Sequence, residues 1–257
     1  MLVVCSFRCD NKACVTSLGE HKIVDVEIPV RNFEGIQEAK FSTLSIKTLD
    51  LWADDVKSIF EELALLEGVD ELPIYCASCY NDRNIAGTNT LSKHAYGAAI
   101  DVNYYMNPHV DIIKNKMTPD MRGRAINDIA KDLSECTTTI PSDKMELFVQ
   151  KYIVQERGSD DAFTSRLVHR PGMTNEFHAK IFKKYGFDRW GGYWRQPMDF
   201  MHFEISSRAL INNIIASDQE TAQKLWNEHI EKCREELKAQ NEKEQKLLEY
   251  RIKSLGI

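Results

Sequence analysis

The sequence predicts an α+β domain, because segments with strand periodicity and segments with helix periodicity occur in the same chain. Residues 23–30 (IVDVEIPV) alternate apolar and polar side chains, which is typical of a strand with one buried face. A helix is indicated next by apolar residues at helical spacing, with Thr48 as its N-cap and Gly68 at its C-terminal cap. Its apolar face consists of Trp52, Val56, Ile59, Phe60, Leu63 and Leu66.

Further elements follow in the same mixed pattern. Residues 73–80 (PIYCASCY) indicate another strand, and the polar, turn-rich residues 81–90 indicate a loop. Residues 174–185 indicate a short helix that Gly186 ends.

The carboxy-terminal residues 217–255 indicate a long helix, because they are rich in Glu, Lys and Gln and contain no proline. The a/d spacing of a coiled coil is followed for about one and a half heptads, by Trp226, Ile230, Cys233 and Leu237. We therefore expect a helix that packs on the body with its first half and is solvated in its second half. A helix that binds a partner or mediates self-association is the alternative.

The middle of the chain, residues 109–165, is predicted to be an insertion with a small core of its own. It includes expected helices near residues 119–134 and 143–155. The predicted organisation is a domain over residues 1–215 that contains this insertion, followed by a helical extension over residues 216–257.

The composition indicates a folded protein, with 43% hydrophobic and 28% charged residues in a chain of 257. A formal net charge of −6 argues against nucleic acid as a partner, because proteins that bind the phosphate backbone are expected to be basic. No apolar run approaches the roughly 18 residues that cross a bilayer, so no membrane span is expected.

The amino terminus, MLVVCSFRCDNKACV, lacks the basic leader and apolar stretch of a signal peptide. A cytoplasmic protein, a phage product released at lysis and a chain whose leader has been removed are all compatible with this. Seven cysteines are an odd number, so complete internal disulfide pairing is excluded. Reduced thiols are expected, some of them buried. A second metal site built from residues 5–14 and 76–79 is disfavoured, because the spacing is not that of a zinc knuckle.

Two strand-like runs, far apart in the chain, each combine an apolar face with possible metal ligands on the other face. In AAIDVN, Asp101 lies opposite the apolar side chains, and in FMHFEI, His202 and Glu204 do so. If these strands pair, Asp101 and His202 meet, and His94 reaches them from the preceding turn.

Two imidazoles and one carboxylate are a common ligand set for catalytic zinc, whose fourth position is kept for water. Zinc lowers the pKa of that water to about 7, and a nearby carboxylate is needed to take its proton. Asp199 is the candidate base. In a regular strand it would point away from His202, so we expect it in a turn after Pro197 or on a bulge.

The segments SKHAYGAAIDVN and MDFMHFE resemble the SxHxxGxAxD and (D/E)xxHxE signatures of the M15 zinc peptidases. These are the D-alanyl-D-alanine carboxypeptidases, dipeptidases and L-alanyl-D-glutamate endopeptidases of peptidoglycan. CYNDRNIAGTNT is similar to the family's arginine-bearing segment, and WGGYW is similar to its aromatic stretch before the last ligand. The resemblance covers residues 40–110 and 166–206. It implies a hedgehog/DD-peptidase-like fold: a small, mainly antiparallel sheet with packed helices and a zinc site on one face.

Carried over residue by residue, the resemblance implies one zinc ion per chain, bound by His94, Asp101 and His202. It also implies that Asp199 is the general base and that Arg83 holds the scissile carbonyl oxygen, where a fixed guanidinium stabilises developing negative charge.

Other residues have two open interpretations. Ser92 either contacts substrate or holds the turn that carries the first ligand. Trp190, Tyr193 and Trp194 either line a substrate groove or belong to the core. Glu204 either orients a ligand histidine or is a solvated carboxylate. Several residues match no ligand position or carry no functional signal, namely His21, His109, His169, His178, His229, Cys136 and Cys233.

The predicted function is a zinc-dependent peptidase that hydrolyses peptide bonds in peptidoglycan stem peptides. Both an L-Ala–D-Glu endopeptidase and a D-Ala–D-Ala carboxypeptidase fit this prediction. The endopeptidase is favoured because Asp199 is an aspartate where the dipeptidase-like branch has glutamate. Such a substrate implies a cell-envelope or phage-lysis context, or recycling of muropeptides in the cytoplasm.

The alternative function is a catalytically silent, hedgehog-like module that contains zinc and binds the cell wall or acts in signalling. Asp199 and Arg83 argue against it, because a structural zinc site needs neither a base nor an oxyanion donor. Such sites also usually have four protein ligands, whereas three are found here. A third alternative is a scaffold protein that assembles through its carboxy-terminal helix.

Overall fold

The computed structural model describes residues 18–31, 41–70, 74–104, 107, 109–111, 116–118, 174–194 and 198–255. In this part of the chain there are nine strands and four α-helices, arranged as small antiparallel sheets with packed helices. The predicted α+β class is confirmed. The helices expected near residues 119–134 and 143–155 lie outside the described residues.

The fold begins with a two-stranded antiparallel hairpin of β1 (Ile23–Arg31) and β2 (Phe41–Leu49). The predicted strand is therefore confirmed, and its burial alternates as expected. Its buried residues are Val26, Ile28 and Val30. Helix α1 (Ala53–Asp70) packs against this hairpin through the predicted apolar face.

Both predicted caps of α1 are wrong. Thr48 still belongs to β2, and its hydroxyl donates a hydrogen bond to the carbonyl oxygen of Gly97 at 3.1 Å. A 3-10 turn, Asp50–Trp52, leads from the strand into the helix. At the other end Gly68 lies within α1, which continues to Asp70. At Thr48 a tertiary hydrogen bond has thus overridden the local capping signal.

The central sheet has four short antiparallel strands in the order β3-β4-β9-β7. They are β3 (Ala77–Ser78), β4 (Ala99–Val102), β7 (Arg189–Trp190) and β9 (His202–Glu204). The predicted strand at residues 73–80 is therefore reduced to two residues. The expected pairing of β4 with β9 is present, and it joins parts of the chain about one hundred residues apart.

A second sheet of three strands lies in the order β6-β5-β8. It contains β5 (His109–Asp111), β6 (Lys116–Thr118) and β8 (Met198–Asp199). His109 is the register partner of Asp199. The first residues of the predicted insertion thus form a sheet with the strand that carries Asp199, which the sequence analysis did not anticipate.

Three helices complete the described fold: α2 (Glu176–Lys184), α3 (Arg208–Ile215) and α4 (Gln219–Leu255). The predicted helix before Gly186 is confirmed, and Gly186 follows it with a φ of +91°. Behind the central sheet, Phe182 of α2 stacks on Phe203 of β9 with ring centroids 3.9 Å apart. This packing supports the strand that carries His202.

The first half of α4 is part of the core, as predicted. Trp226 is fully buried, its ring centroid lies 5.4 Å from that of Trp52, and its indole donates to Asp55 at 2.7 Å. Burial on α4 ends at Leu237, and the residues that follow are largely exposed. Among the described helices none combines the length and apolar character needed to cross a membrane.

Candidate metal centre

Three side chains converge at the pairing of β4 with β9. Asp101 and His202 are register partners, and His202 Nδ1 lies 2.9 Å from Asp101 Oδ1. His94 approaches from the turn before β4, with its Nε2 3.2 Å from Asp101 Oδ2 and 3.3 Å from His202 Nδ1. His94 and His202 are buried, and Asp101 is partly buried. The three predicted ligands therefore meet with one ligand atom each directed at a common point.

The turn that carries His94 is a short 3-10 turn, Lys93–Tyr96. Ser92 precedes it, is buried, and accepts a hydrogen bond from the backbone N–H of His94 at 3.3 Å. These contacts favour the interpretation of Ser92 as the residue that holds the ligand turn.

Gly97 ends the same turn with a φ of +63°, a conformation that favours glycine. A Cβ atom there would lie 2.7 Å from the backbone nitrogen of Leu49, so a larger residue does not fit. The Gly97 carbonyl accepts hydrogen bonds from Thr48, Trp52 and Cys79 at 3.1, 2.7 and 3.2 Å. The ligand turn is thereby fixed to the hairpin and to the start of α1.

Each histidine is oriented by its second ring nitrogen. His94 Nδ1 lies 2.6 Å from the carbonyl oxygen of Cys79, which can only accept a hydrogen bond. His202 Nε2 lies 3.1 Å from Glu204 Oε2, as predicted for an orienting carboxylate. In each histidine the other ring nitrogen, His94 Nε2 or His202 Nδ1, faces Asp101 and is available to bind a metal.

Sequence reasoning missed Lys93, which is buried beside the centre. Its Nζ donates to Glu204 Oε1 at 2.9 Å and to the carbonyl oxygens of Ile205 and Ser206 at 2.7 and 2.8 Å. Burial acts to raise the pKa of Glu204, but the hydrogen bond from His202 and the charges of His202 and Lys93 hold that pKa below its usual value. The sequence shows that a lysine lies inside the first motif, but it does not show that this lysine pairs with Glu204 in the second motif.

The charged side chains of this centre strongly shift one another's pKa values. Burial acts to raise the pKa of Asp101, but the charges and hydrogen bonds of His94 and His202 outweigh it and hold that pKa far below its usual range. Burial acts to lower the pKa of His202, but hydrogen bonds to Asp101 and Glu204 raise it to about 10. The carboxylates of Asp101 and Glu204 therefore stabilise a positive charge on the His202 ring. A bound metal cation would take the place of the proton on that ring.

Asp199 lies beside these residues but on a different sheet. It occupies β8, and the turn at Phe200 and Met201 separates it from β9. Asp199 and His202 thus lie on two separate strands, and Asp199 does not occupy a bulge within one strand. The alternation of side chains along a single strand therefore does not direct Asp199 away from His202. Gly191 packs so closely that a Cβ atom there would lie 2.2 Å from the Asp199 carbonyl oxygen.

The environment of Asp199 suits a carboxyl group that exchanges protons. Burial and the negative charge of Asp101 raise its pKa to about 7, while His202, His94 and Arg83 act to lower it. Its Oδ1 atom is buried and has no hydrogen-bond partner among the described residues. A carboxylate of this kind is poised to accept a proton near neutral pH.

Arg83 is half-buried in the loop that precedes the ligand turn, where its carbonyl accepts a hydrogen bond from Ser92 N–H at 2.9 Å. Its guanidinium has no hydrogen bond or ion pair within the described part of the chain. Its positive charge lies near enough to the centre to act to lower the pKa of Asp199.

The three aromatic residues proposed for a substrate groove lie in different environments. Trp190 is 8% exposed and stacks on Phe203, so its packing is that of a core residue. Of the two interpretations of Trp190, its burial favours the core over a place in a substrate groove. Tyr193 is 59% exposed. Trp194 is half-buried, with its ring centroid 5.4 Å from that of His202 and the Arg189 guanidinium over its face.

The cysteines that can be described agree with the prediction of reduced thiols. Cys76, Cys79 and Cys233 are buried, and none of them forms a disulfide bond among the described residues. The cysteines at positions 5, 9, 14 and 136, and with them the disfavoured second site at residues 5–14, lie outside the described residues.

The two histidines and the aspartate that converge on the antiparallel sheet form a group that could hold a metal ion, with the Asp199 carboxyl group beside it. This is the ligand set of metal-dependent hydrolases that have three protein ligands. Residues 86–205 match the model of an M15 peptidase family that is described as D-alanyl-D-alanine carboxypeptidase. This match confirms the M15 resemblance for the segment that carries the site. The matched residues include all three candidate ligands and Asp199, whereas Arg83 lies just before them.

No curated protein and no solved structure gives a significant match to the chain.

Proposed function

We propose that this protein is a zinc-dependent peptidase that hydrolyses peptide bonds in the stem peptides of peptidoglycan. The observation that carries the proposal is the convergence of His94, Asp101 and His202, whose facing ligand atoms are 2.9–3.3 Å apart. The α+β architecture is consistent with the hedgehog/DD-peptidase fold, which is part of the same proposal.

The donor set fits zinc. Two imidazole nitrogens and one carboxylate oxygen are ligands that zinc accepts, and ligand atoms around a four-coordinate zinc ion lie about 3.3 Å apart. His94 Nε2, Asp101 and His202 Nδ1 would hold the ion, with Cys79 and Glu204 orienting the two rings. When bound, zinc supplies a Lewis acid that activates water and polarises the scissile carbonyl group.

Asp199 is proposed as the general base. Its Oδ1, which has no hydrogen-bond partner among the described residues, accepts a proton from the attacking water and then delivers it to the nitrogen of the leaving amine. A pKa of about 7 suits both transfers, because the group is able to take and to release a proton near neutral pH.

Arg83 is proposed to bind the scissile carbonyl oxygen. Its guanidinium, without an ion pair among the described residues, has donors for the negative charge that develops on that oxygen. Trp194, next to His202, and the exposed Tyr193 are proposed to contact the peptide on either side.

The family match supports peptidoglycan stem peptides as the proposed substrate class, and two types of bond fit this proposal. The family description names a D-alanyl-D-alanine carboxypeptidase, whereas Asp199 favours an L-Ala–D-Glu endopeptidase. Either activity implies peptidoglycan or released muropeptides as substrate, and therefore action at the cell envelope, at phage lysis or in muropeptide recycling.

The deciding experiment incubates zinc-loaded protein with defined muropeptides and identifies the products by mass spectrometry, beside an Asp199→Ala control. Loss of a terminal D-Ala identifies the carboxypeptidase, and cleavage after L-Ala identifies the endopeptidase. No product from a protein that binds one zinc ion at this centre would contradict the proposal and favour the silent binding module.

The ligand assignment has its own test. His202→Ala is expected to lose both the zinc bound at this centre and the activity. Full retention of zinc at this centre in that variant would remove His202 from the ligand set.

A further inference from the structure

A second group of metal-ligand side chains lies where α4 packs against the segment between α2 and β7. Asp188, His229 and Cys233 each offer one ligand atom, and all three atoms lie within 4.8 Å of one another. His229 Nε2 lies 3.6 Å from Cys233 Sγ and 3.8 Å from Asp188 Oδ1. It also lies 2.8 Å from the carbonyl oxygen of Gly186.

We propose that Asp188, His229 and Cys233 form a binding site for a divalent transition-metal ion of the zinc type. Such an ion would connect α4 to the body of the protein. The proposal does not rest on the peptidase function, because none of these residues belongs to the first centre.

The distances suit this class of ion. With bonds of about 2.0 Å to nitrogen and oxygen and about 2.3 Å to sulfur, tetrahedral ligand atoms lie roughly 3.3–3.6 Å apart. The separations of 3.6 and 3.8 Å from His229 Nε2 require only small movements to reach these values. His229 and Cys233 are four residues apart on α4, which places both on one face of the helix.

The charges also suit a divalent ion. A thiolate from Cys233 and the carboxylate of Asp188 balance a 2+ charge, while the imidazole of His229 stays neutral. A neutral site matters here, because Cys233 is 2% exposed and an unbalanced buried charge is costly. The Gly186 carbonyl or a water molecule is available as a fourth ligand.

Asp188 is already held in position. Its Oδ1 accepts a hydrogen bond from Ser206 N–H at 2.7 Å, and its Oδ2 accepts one from the Ser206 hydroxyl at 2.6 Å. A carboxylate has further lone pairs for a metal, so these bonds act like the outer partners that orient ligands in metal sites.

A role for Cys233 as a reactive nucleophile is not favoured. Burial and the negative charge of Asp188 raise the pKa of its thiol to about 12, so the metal-free protein holds a neutral thiol at neutral pH. A metal ion deprotonates a coordinating thiol directly. On binding, the thiol proton goes to solvent and the imidazole proton moves from Nε2 to Nδ1, which frees both ligand atoms.

The sulfur ligand makes the site distinguishable from the first centre, which has only nitrogen and oxygen ligands. The metal-free full-length chain is titrated with Co²⁺, and the thiolate-to-cobalt charge-transfer absorption in the near ultraviolet is recorded. We expect this band to saturate by about two equivalents of Co²⁺ in the wild-type chain, whose first centre also takes an ion, and at about one equivalent in His202→Ala. It persists in His202→Ala, where the first centre is disrupted, and is lost in Cys233→Ser and His229→Gln.

The matched control is Cys76→Ser, which makes the same exchange at another buried thiol and is expected to keep the band. A second readout is thermal: Zn²⁺ raises the melting temperature of His202→Ala but not that of His202→Ala combined with Cys233→Ser. Absence of the band from the wild-type chain at saturating Co²⁺, or its full retention in Cys233→Ser, overturns the proposal. The cluster is then a hydrogen-bond network that positions α4.

Discussion

Lys93 Nζ lies 2.9 Å from Glu204 Oε1, although 111 residues separate the two in sequence. Both side chains are buried, and the other oxygen of Glu204 contacts His202 Nε2 at 3.1 Å. Lys93 thus fixes the carboxylate that orients a candidate metal ligand. The segments SKHAYGAAIDVN and MDFMHFE are therefore joined by the Lys93–Glu204 ion pair as well as by the pairing of β4 with β9.

Replacing Lys93 by methionine tests this positioning role. The change keeps the length of the side chain but removes the charge and three hydrogen bonds, so Glu204 no longer holds His202 firmly. We expect the zinc affinity of the first centre to fall about 10- to 100-fold, as measured by competition with a chelator.

Lys57→Met is the matched control, because Lys57 is an exposed lysine on α1. Its zinc affinity is expected to equal that of the wild type. An unchanged affinity in Lys93→Met would show that Lys93 supports only packing.

If Asp199 is the general base, its replacement should lower catalytic turnover and leave zinc binding unchanged. Asp199→Asn keeps the shape of the side chain but cannot accept the proton, so turnover is expected to fall by about 10²- to 10⁴-fold. Zinc stoichiometry and melting temperature stay near their wild-type values. Asp54→Asn, at an exposed position on α1, is the control for loss of a carboxylate. Equal turnover in Asp199→Asn and wild type would remove Asp199 from the mechanism.

Zinc binding at the first centre is expected to depend on pH. In the metal-free protein the pKa of His202 is raised to about 10, so the ring is protonated at neutral pH and zinc must displace the proton on Nδ1. The affinity therefore increases with pH, by about tenfold per unit for one released proton. Chelator competition from about pH 6 to about pH 8, corrected for protonation of the chelator, measures this slope. A flat profile would mean that His202 is already neutral before zinc binds.

Trp226 is expected to contribute strongly to stability, because it joins α4 to α1. Its side chain is fully buried and also donates a hydrogen bond to Asp55. Trp226→Ala should lower the free energy of unfolding by about 3–5 kcal/mol in urea denaturation. Glu228→Ala, at an exposed position two residues further along, should change it by less than about 0.5 kcal/mol. A small effect of Trp226→Ala would mean that α4 is only loosely attached.

The distal part of α4 is expected to be dispensable for folding, because burial ends at Leu237. Removal of residues 241–257 should leave the melting temperature nearly unchanged. It also removes the exposed apolar side chains Leu247, Leu248 and Tyr250, through which the proposed self-association would occur. Sedimentation of both chains over a range of concentrations tests this proposal: association that persists after truncation excludes the distal helix as its cause. A truncation at residue 216 is less informative, since it would also remove Trp226.

Sequence patterns alone predict the candidate ligands Asp101 and His202 and the two strands that carry them. Alternation within AAIDVN and FMHFEI places Asp101 and His202 on the face opposite the apolar side chains, and this local rule depends only on backbone geometry. The helix before Gly186 and the docking of the first half of α4 were predictable for the same reason, because apolar spacing reports burial directly.

Which distant groups surround these candidate ligands depends on how the chain packs. Asp199 belongs to a sheet with residues 109–111, Lys93 pairs with Glu204, and Thr48 bonds to Gly97 instead of capping α1. These contacts join residues many positions apart, and no periodicity records which of several polar partners a side chain will meet. The cluster of Asp188, His229 and Cys233 is likewise not predictable from sequence patterns. Helix α4 supplies His229 and Cys233, and only the packing of the chain brings Asp188 to them.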